Sequence, residues 1–109
     1  MGTHADIPPG TLYMLIFRSL NRLGPMHGYG IAQFIQQTSE DILHVEEGSL
    51  YPALQRMLIK GWVAAEWKQS ENNRRARYYS LTPEGRKQMA REVKEFALVT
   101  RAIERIIEA

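Results

Sequence analysis

The chain has 109 residues, 44% hydrophobic and 24% charged, with a formal net charge of +2; this is the profile of one globular domain rather than of a disordered chain. The absence of cysteine excludes a disulfide framework and a thiolate zinc site. No apolar run approaches the ~18–20 residues that span a bilayer, and the N-terminus lacks the basic and apolar regions of a signal peptide, so a cytoplasmic protein without membrane contact is expected.

The elements follow in chain order. Residues 1–9 read as an N-terminal arm. Thr11 is placed to cap a helix running to Leu23, in which Leu12, Leu15, Ile16, Leu20 and Leu23 share one buried face. Gly24 and Pro25 stop it. A second helix is predicted from His27–Tyr29 to Gln37, burying Tyr29, Ile31, Ala32, Phe34 and Ile35. Ile42 to Val45 reads as a short strand or extended chain. A third helix, 49–60, takes Ser49 as N-cap, with Pro52 in the first turn and Gly61 as the stop. Residues 62–81 read as a two-stranded hairpin whose tip, Ser70 to Asn73, is a turn cluster. Thr82 and Pro83 then open a helix that continues to Ala109, broken in pattern only by Gly85. At ~1.5 Å per residue it is about 40 Å long, against ~25–30 Å for a domain of this size.

This order is mainly α with a two-stranded β-hairpin, and it is that of a winged helix-turn-helix (10–82) followed by a long C-terminal helix (83–109). Residues 1–47 carry two Arg against five carboxylates, net −3; residues 48–109 carry twelve Lys and Arg against seven carboxylates, net +5. An excess confined to one half suits an anionic partner. On the third helix Leu50, Leu54, Met57 and Leu58 form the apolar arc. Ser49, Pro52, Gln55, Arg56 and Ile59 fall opposite it, with Tyr51 at the margin. An Arg fork, a Gln amide and a hydroxyl on one exposed face can read guanine, adenine and phosphate. The wing (66–79) adds Lys68, Arg74, Arg75 and Arg77, suited to backbone phosphates or a narrow minor groove. Met89, Val93, Phe96, Val99, Ile103 and Ile106, with Ile107 alongside, recur on the last helix at coiled-coil-like spacing. That seam predicts a homodimer.

Three motifs carry a family resemblance: Leu23 to Gly30 (LGPMHGYG), Glu47 to Arg56 (EGSLYPALQR), and Asn72 to Tyr79 (NNRRARYY) followed by Leu81 to Arg86 (LTPEGR). Over about residues 10–87 the chain resembles the PadR family of bacterial transcriptional regulators. The resemblance implies a homodimeric winged-helix protein that binds double-stranded DNA, usually as a repressor. It maps Ser49, Tyr51, Pro52 and Arg56 to the recognition helix, Arg74, Arg75 and Arg77 to the wing, and Tyr29 to the preceding helix, against phosphate or the core. With a single helix after the wing, the chain resembles the short subfamily. There the last helix, helped by the first through residues such as Leu12, Leu15 and Ile16, forms the dimer, and the operator is pseudo-palindromic.

Other chemistries have little support. His4, His27 and His44 lack metal-ligand spacing. Ser49 has no obvious general base, and the glycines at 24, 28 and 30 follow no strand, so neither an enzyme nor a cofactor is expected. Phe96 is the one aromatic residue on the last helix, and Trp62 and Trp67 are assigned to the core rather than to a drug pore. A small-molecule effector is left unspecified. The competing reading is a winged-helix module that binds protein instead of DNA.

Overall fold

In a computed structural model, which describes residues 4–8 and 10–109, the elements are α1 (Leu12–Leu23), β1 (Met26–His27), α2 (Gly28–Thr38), α3 (Glu47–Ile59), β2 (Val63–Gln69), β3 (Arg75–Leu81) and α4 (Pro83–Glu108). Part of the expected N-terminal arm, residues 1–3 and 9, lies outside the described residues. The antiparallel sheet has the order β1-β3-β2. Its hairpin runs in register from Val63↔Leu81 at the base to Gln69↔Arg75 at the tip. The third strand, β1, is two residues long and pairs Met26 with Tyr79 and His27 with Tyr78. It has no periodicity of its own, so the spacing of residues does not reveal it.

The core lies between α1, α2, α3 and the base of the hairpin. Ile16, Phe17, Leu20, Ile31, Ile35, Leu50, Leu54, Met57 and Val63 are buried there. Most of these are the expected periodic positions; Phe17 is an addition to them, and Leu23, expected on the same face of α1, is 37% exposed. Ser19, also buried, donates its hydroxyl to the Leu15 carbonyl at 2.7 Å.

Several local expectations change. Thr11 occupies the N-cap position without capping α1; its hydroxyl donates instead to the Pro8 carbonyl. Helix α3 starts two residues before Ser49, with Glu46 as N-cap and its carbonyl accepting from the Ser49 and Leu50 amides. Glu47 in the first turn suits the positive end of the helix dipole. Pro52 therefore lies inside the helix, where its missing N–H leaves the Gly48 carbonyl without its intrahelical donor. Ile42 to Val45 forms no sheet strand; Leu43 makes an isolated parallel bridge to Ala5. Tyr29 is 67% exposed rather than buried, because it stands on the side of α2 that faces the wing tip. Trp67 is 57% exposed, because β2 runs on beyond the core that Val63 and Ala65 cover. Trp62 does join the core, against Tyr13 and Phe17 with ring centroids 5.5 Å away in each case. Ile16 is completely enclosed by its own chain, so it has no surface to offer a partner. Leu12, Leu15 and Met89 are partly buried against the same core.

Helix α4 begins on a tight junction. The Thr82 hydroxyl accepts from the Gly85 amide at 3.0 Å and donates to the Gly61 carbonyl at 2.6 Å, while the Thr82 amide donates to the Trp62 carbonyl at 3.1 Å. Gly85 is buried directly against that Trp62 carbonyl, and a Cβ there would overlap backbone. The glycine that interrupts the helical pattern is thus required by close approach of two backbones. From this start α4 runs antiparallel to α1. Arg86 lies near Asn21, and the stretch Glu92 to Val99 reaches the level of Gly10 to Met14. Its distal half leaves Leu98, Val99, Ile103, Ile106 and Ile107 exposed, and the molecule, helix included, measures 54 × 38 × 22 Å. None of the described helices is long and apolar enough to cross a membrane.

Replacing Gly85 by Ala should lower stability by about 2–3 kcal/mol, the upper part of the ~1–3 kcal/mol typical of overpacking, since the neighbouring atom is backbone. Gly48→Ala, whose added methyl meets nothing within 4 Å, should be neutral or slightly stabilising in the same urea titration. Equal midpoints for the two variants would contradict the junction described here.

Candidate nucleic-acid interface

Helix α3 turns Leu50, Ala53, Leu54 and Met57 into the core and leaves Ser49, Pro52, Gln55 and Ile59 on the outer face. The two flanks differ. On one, the Tyr51 ring rests against the first residue of α2: a Cβ on Gly28 would lie 2.8–2.9 Å from the Tyr51 ring and hydroxyl. The glycine of the His-Gly-Tyr-Gly segment is therefore the seat of the Tyr51 side chain. Burial, aided by Glu47 and Tyr79 nearby, raises the Tyr51 pKa above its ordinary value of 10.0. The phenol stays protonated at neutral pH and remains a hydrogen-bond donor.

On the other flank Arg56 turns toward α1. Its Nε–H donates to the Tyr13 hydroxyl at 2.6 Å, and the guanidinium carbon lies 5.6 Å from the ring centroid. Among the described residues no carboxylate pairs with Arg56, so its two terminal nitrogens are unpartnered by acid.

The amino end of α2 is held by His27. Its Nδ1 accepts from the Gly30 amide at 3.0 Å, and its ring packs against Tyr78 with centroids 5.2 Å apart. This ties α2 to the sheet and brings Tyr29 to the wing tip. Tyr29, Tyr51, Arg74 and Arg75 line one groove of about 520 Å³ between α2 and the hairpin.

The wing cations are not equivalent. Arg75 lies over the Trp67 ring at 5.2 Å and Arg77 over Tyr79 at 5.9 Å. Lys68 points to the other face of the hairpin, as strand alternation requires. There it lies 5.6 Å from the Tyr78 ring centroid and 3.9 Å from the Glu66 carboxylate. The structure thus groups Tyr29, Tyr51, Arg74 and Arg75, keeps Ser49, Pro52 and Gln55 on the adjoining outer face, turns the Arg56 Nε aside to α1, and puts Lys68 on the opposite face of the hairpin from Arg75 and Arg77. Spacing did not reveal Tyr13 as a member of this surface. It lies beside the apolar stripe of α1, and its partner is 43 residues away in sequence.

On α4, Phe96, Leu98, Val99, Ile103, Ile106 and Ile107 are between 43% and 76% exposed. Leu98 lies outside the expected seam. Phe96 and Val99 also line a groove of about 410 Å³ against the start of α1, with Tyr13, Met14, Glu92 and Glu95. Among the described residues no cluster of three His, Asp or Glu is disposed to hold a metal ion.

The fold has counterparts among known proteins. A transcriptional regulator from Clostridium thermocellum has a similar structure, with a TM-score of 0.80 and 27% identity over 88% of this chain and 92% of that one. A PadR family transcription regulator from Clostridium difficile gives 0.76 and 28%, over 90% and 99% of the two chains. Bacillus subtilis PadR, solved in complex with operator DNA, shares the fold at a TM-score of 0.67 and 19% identity, over 76% of this chain and 47% of that one. The model of the transcriptional regulator PadR-like family matches residues 16–91, and the chain belongs to that family.

Proposed function

We propose that this protein is a homodimeric repressor that binds a pseudo-palindromic DNA operator through α3 and the wing. One observation carries the reading. An exposed polar face on α3 adjoins a groove where two tyrosines and two arginines converge. Hydroxyls and guanidinium groups in a concave setting are the donors that position a phosphate backbone. Further support comes from the Bacillus subtilis relative, whose structure holds operator DNA.

Within this proposal Arg74, Arg75, Tyr29 and the protonated Tyr51 contact phosphates. Gln55, with Ser49 and Pro52 beside it, faces base edges in the major groove. Arg56, with its Nε held by Tyr13, offers the fork of its two terminal nitrogens to a phosphate. Arg77 and Lys68, over tyrosine rings, add positive field beside the backbone. The exposed apolar residues of α4 are covered by the same helix of a second copy, with Leu12 and Leu15 of α1 at the margin. A dimer of this kind presents two recognition helices about one DNA turn (~34 Å) apart. Seated on an operator that overlaps a promoter, it excludes polymerase.

Two measurements test the reading. Binding to duplex DNA, followed by fluorescence anisotropy across a salt series, should weaken linearly on a log–log plot. Arg74→Ala with Arg75→Ala should reduce the slope by roughly 2, one for each lost phosphate contact. A slope unchanged by the double substitution, or a flat wild-type profile, would contradict phosphate contact and favour a protein partner. Sedimentation should show a wild-type dimer, and Ile103→Glu should yield a folded monomer with operator affinity lower by about 100-fold or more, since the second half-site contact is lost. A wild-type monomer, or a variant that remains dimeric, would overturn the α4 interface.

A further inference from the structure

Tyr13 belongs to no motif that points to DNA, yet it is the side chain that fixes an arginine of α3. Its hydroxyl accepts the Arg56 Nε–H at 2.6 Å, and the guanidinium stands over its ring at 5.6 Å. The ring itself is fixed, edge-on to Trp62 with centroids 5.5 Å apart and an interplanar angle of 80°. Trp62 in turn packs on Phe17 and beneath the Lys60 ammonium, 5.2 Å from its centroid. Arg56 is therefore attached to the core by way of two aromatic rings, although it is exposed and has no acidic partner among the described residues.

Arginine has many rotamers, and holding it in one orientation costs entropy that a ligand must otherwise overcome. A hydrogen bond at Nε leaves Nη1 and Nη2 free and sets the plane of the guanidinium. We propose that Tyr13 is a positioning residue for DNA binding, pre-setting Arg56 so that its two terminal nitrogens meet one phosphate. The proposal rests on the DNA-binding reading above and adds a residue of α1 to it. Because the Tyr13 ring also lines the groove between α1 and α4, the same side chain touches both the α4 side of the domain and the DNA-facing helix.

A double-mutant cycle on operator affinity isolates this role, using wild type, Tyr13→Phe, Arg56→Ala and the double variant. Phe keeps the stack on Trp62 and removes only the acceptor. Tyr13→Phe should weaken binding roughly three- to tenfold, the cost of ordering one long side chain on binding. It should add nothing in the Arg56→Ala background. Arg56→Lys, which keeps the charge but lacks the Nε–H, should lose affinity to the same degree and be insensitive to Tyr13→Phe. Urea midpoints and sedimentation of each variant should match wild type, so that the loss is one of DNA contact. Wild-type affinity in Tyr13→Phe, or an equal loss with and without Arg56, overturns the positioning role. Failure of the wild-type protein to bind any duplex overturns the DNA-binding reading itself.

Discussion

The first turn of α4 is built on the backbone of Gly61 and Trp62, just past the Lys60 C-cap of α3. Thr82 bonds to the Gly61 and Trp62 carbonyls, and Gly85 approaches the latter more closely than any side chain would permit. Trp62 also packs on Tyr13 and Phe17 of α1 and immediately precedes the first strand of the hairpin. Helix α1, the end of α3, the base of the wing and the start of α4 therefore meet at one residue. Their relative directions cannot change independently, because the junction is made of backbone hydrogen bonds and a close-packed core rather than of flexible charged contacts.

That constraint gives the molecule two ends. Helix α1 connects them: its carboxyl end lies by α2 and the wing tip, where Leu23 shares a groove with Tyr29, Tyr51, Arg74 and Arg75. Its amino end lies by the middle of α4, where Tyr13 and Met14 share another with Phe96 and Val99. In the proposed dimer the apolar residues of α4 face the partner, and the polar surface of α3 and the wing faces DNA. The rigid junction between them then sets the distance between the two recognition helices. The uneven charge of the sequence fits this division, since α3 and the wing hold Arg56, Lys60, Lys68, Arg74, Arg75 and Arg77 against Glu47, Glu66 and Glu71 in residues 47–82.

Much of this was legible in the order of residues, for physical reasons that differ by element. Helices α1 and α2 bury a regular stripe, so their apolar spacing marks their extent. Thr82 and Pro83 mark the start of α4 because capping and a fixed φ act locally. What escaped depends on partners distant in the chain. Strand β1 exists because β3 offers two residues a ladder. The start of α3 at Glu47 rather than Ser49 reflects a carbonyl that accepts two amides, which a side-chain capping pattern does not signal. Tyr29 and Trp67 have apolar bodies but lie past the edge of the core; helical spacing places Tyr29 in the interior while the family resemblance leaves phosphate contact open, and Trp67 reads as a core residue because it is a strand tryptophan. The Gly28–Tyr51 and Tyr13–Arg56 contacts join residues far apart in sequence, and no spacing rule brings them together.

The claim on which the account turns is that two copies of this chain read DNA together. Selection of bound fragments from random duplex DNA, at a stated salt near ~0.15 M, tests it most directly. An inverted repeat with half-sites centred about one helical turn (~10 base pairs) apart should be enriched. Enrichment of a single unrepeated half-site would contradict the dimeric arrangement, and the absence of any enriched sequence would contradict specific DNA recognition altogether.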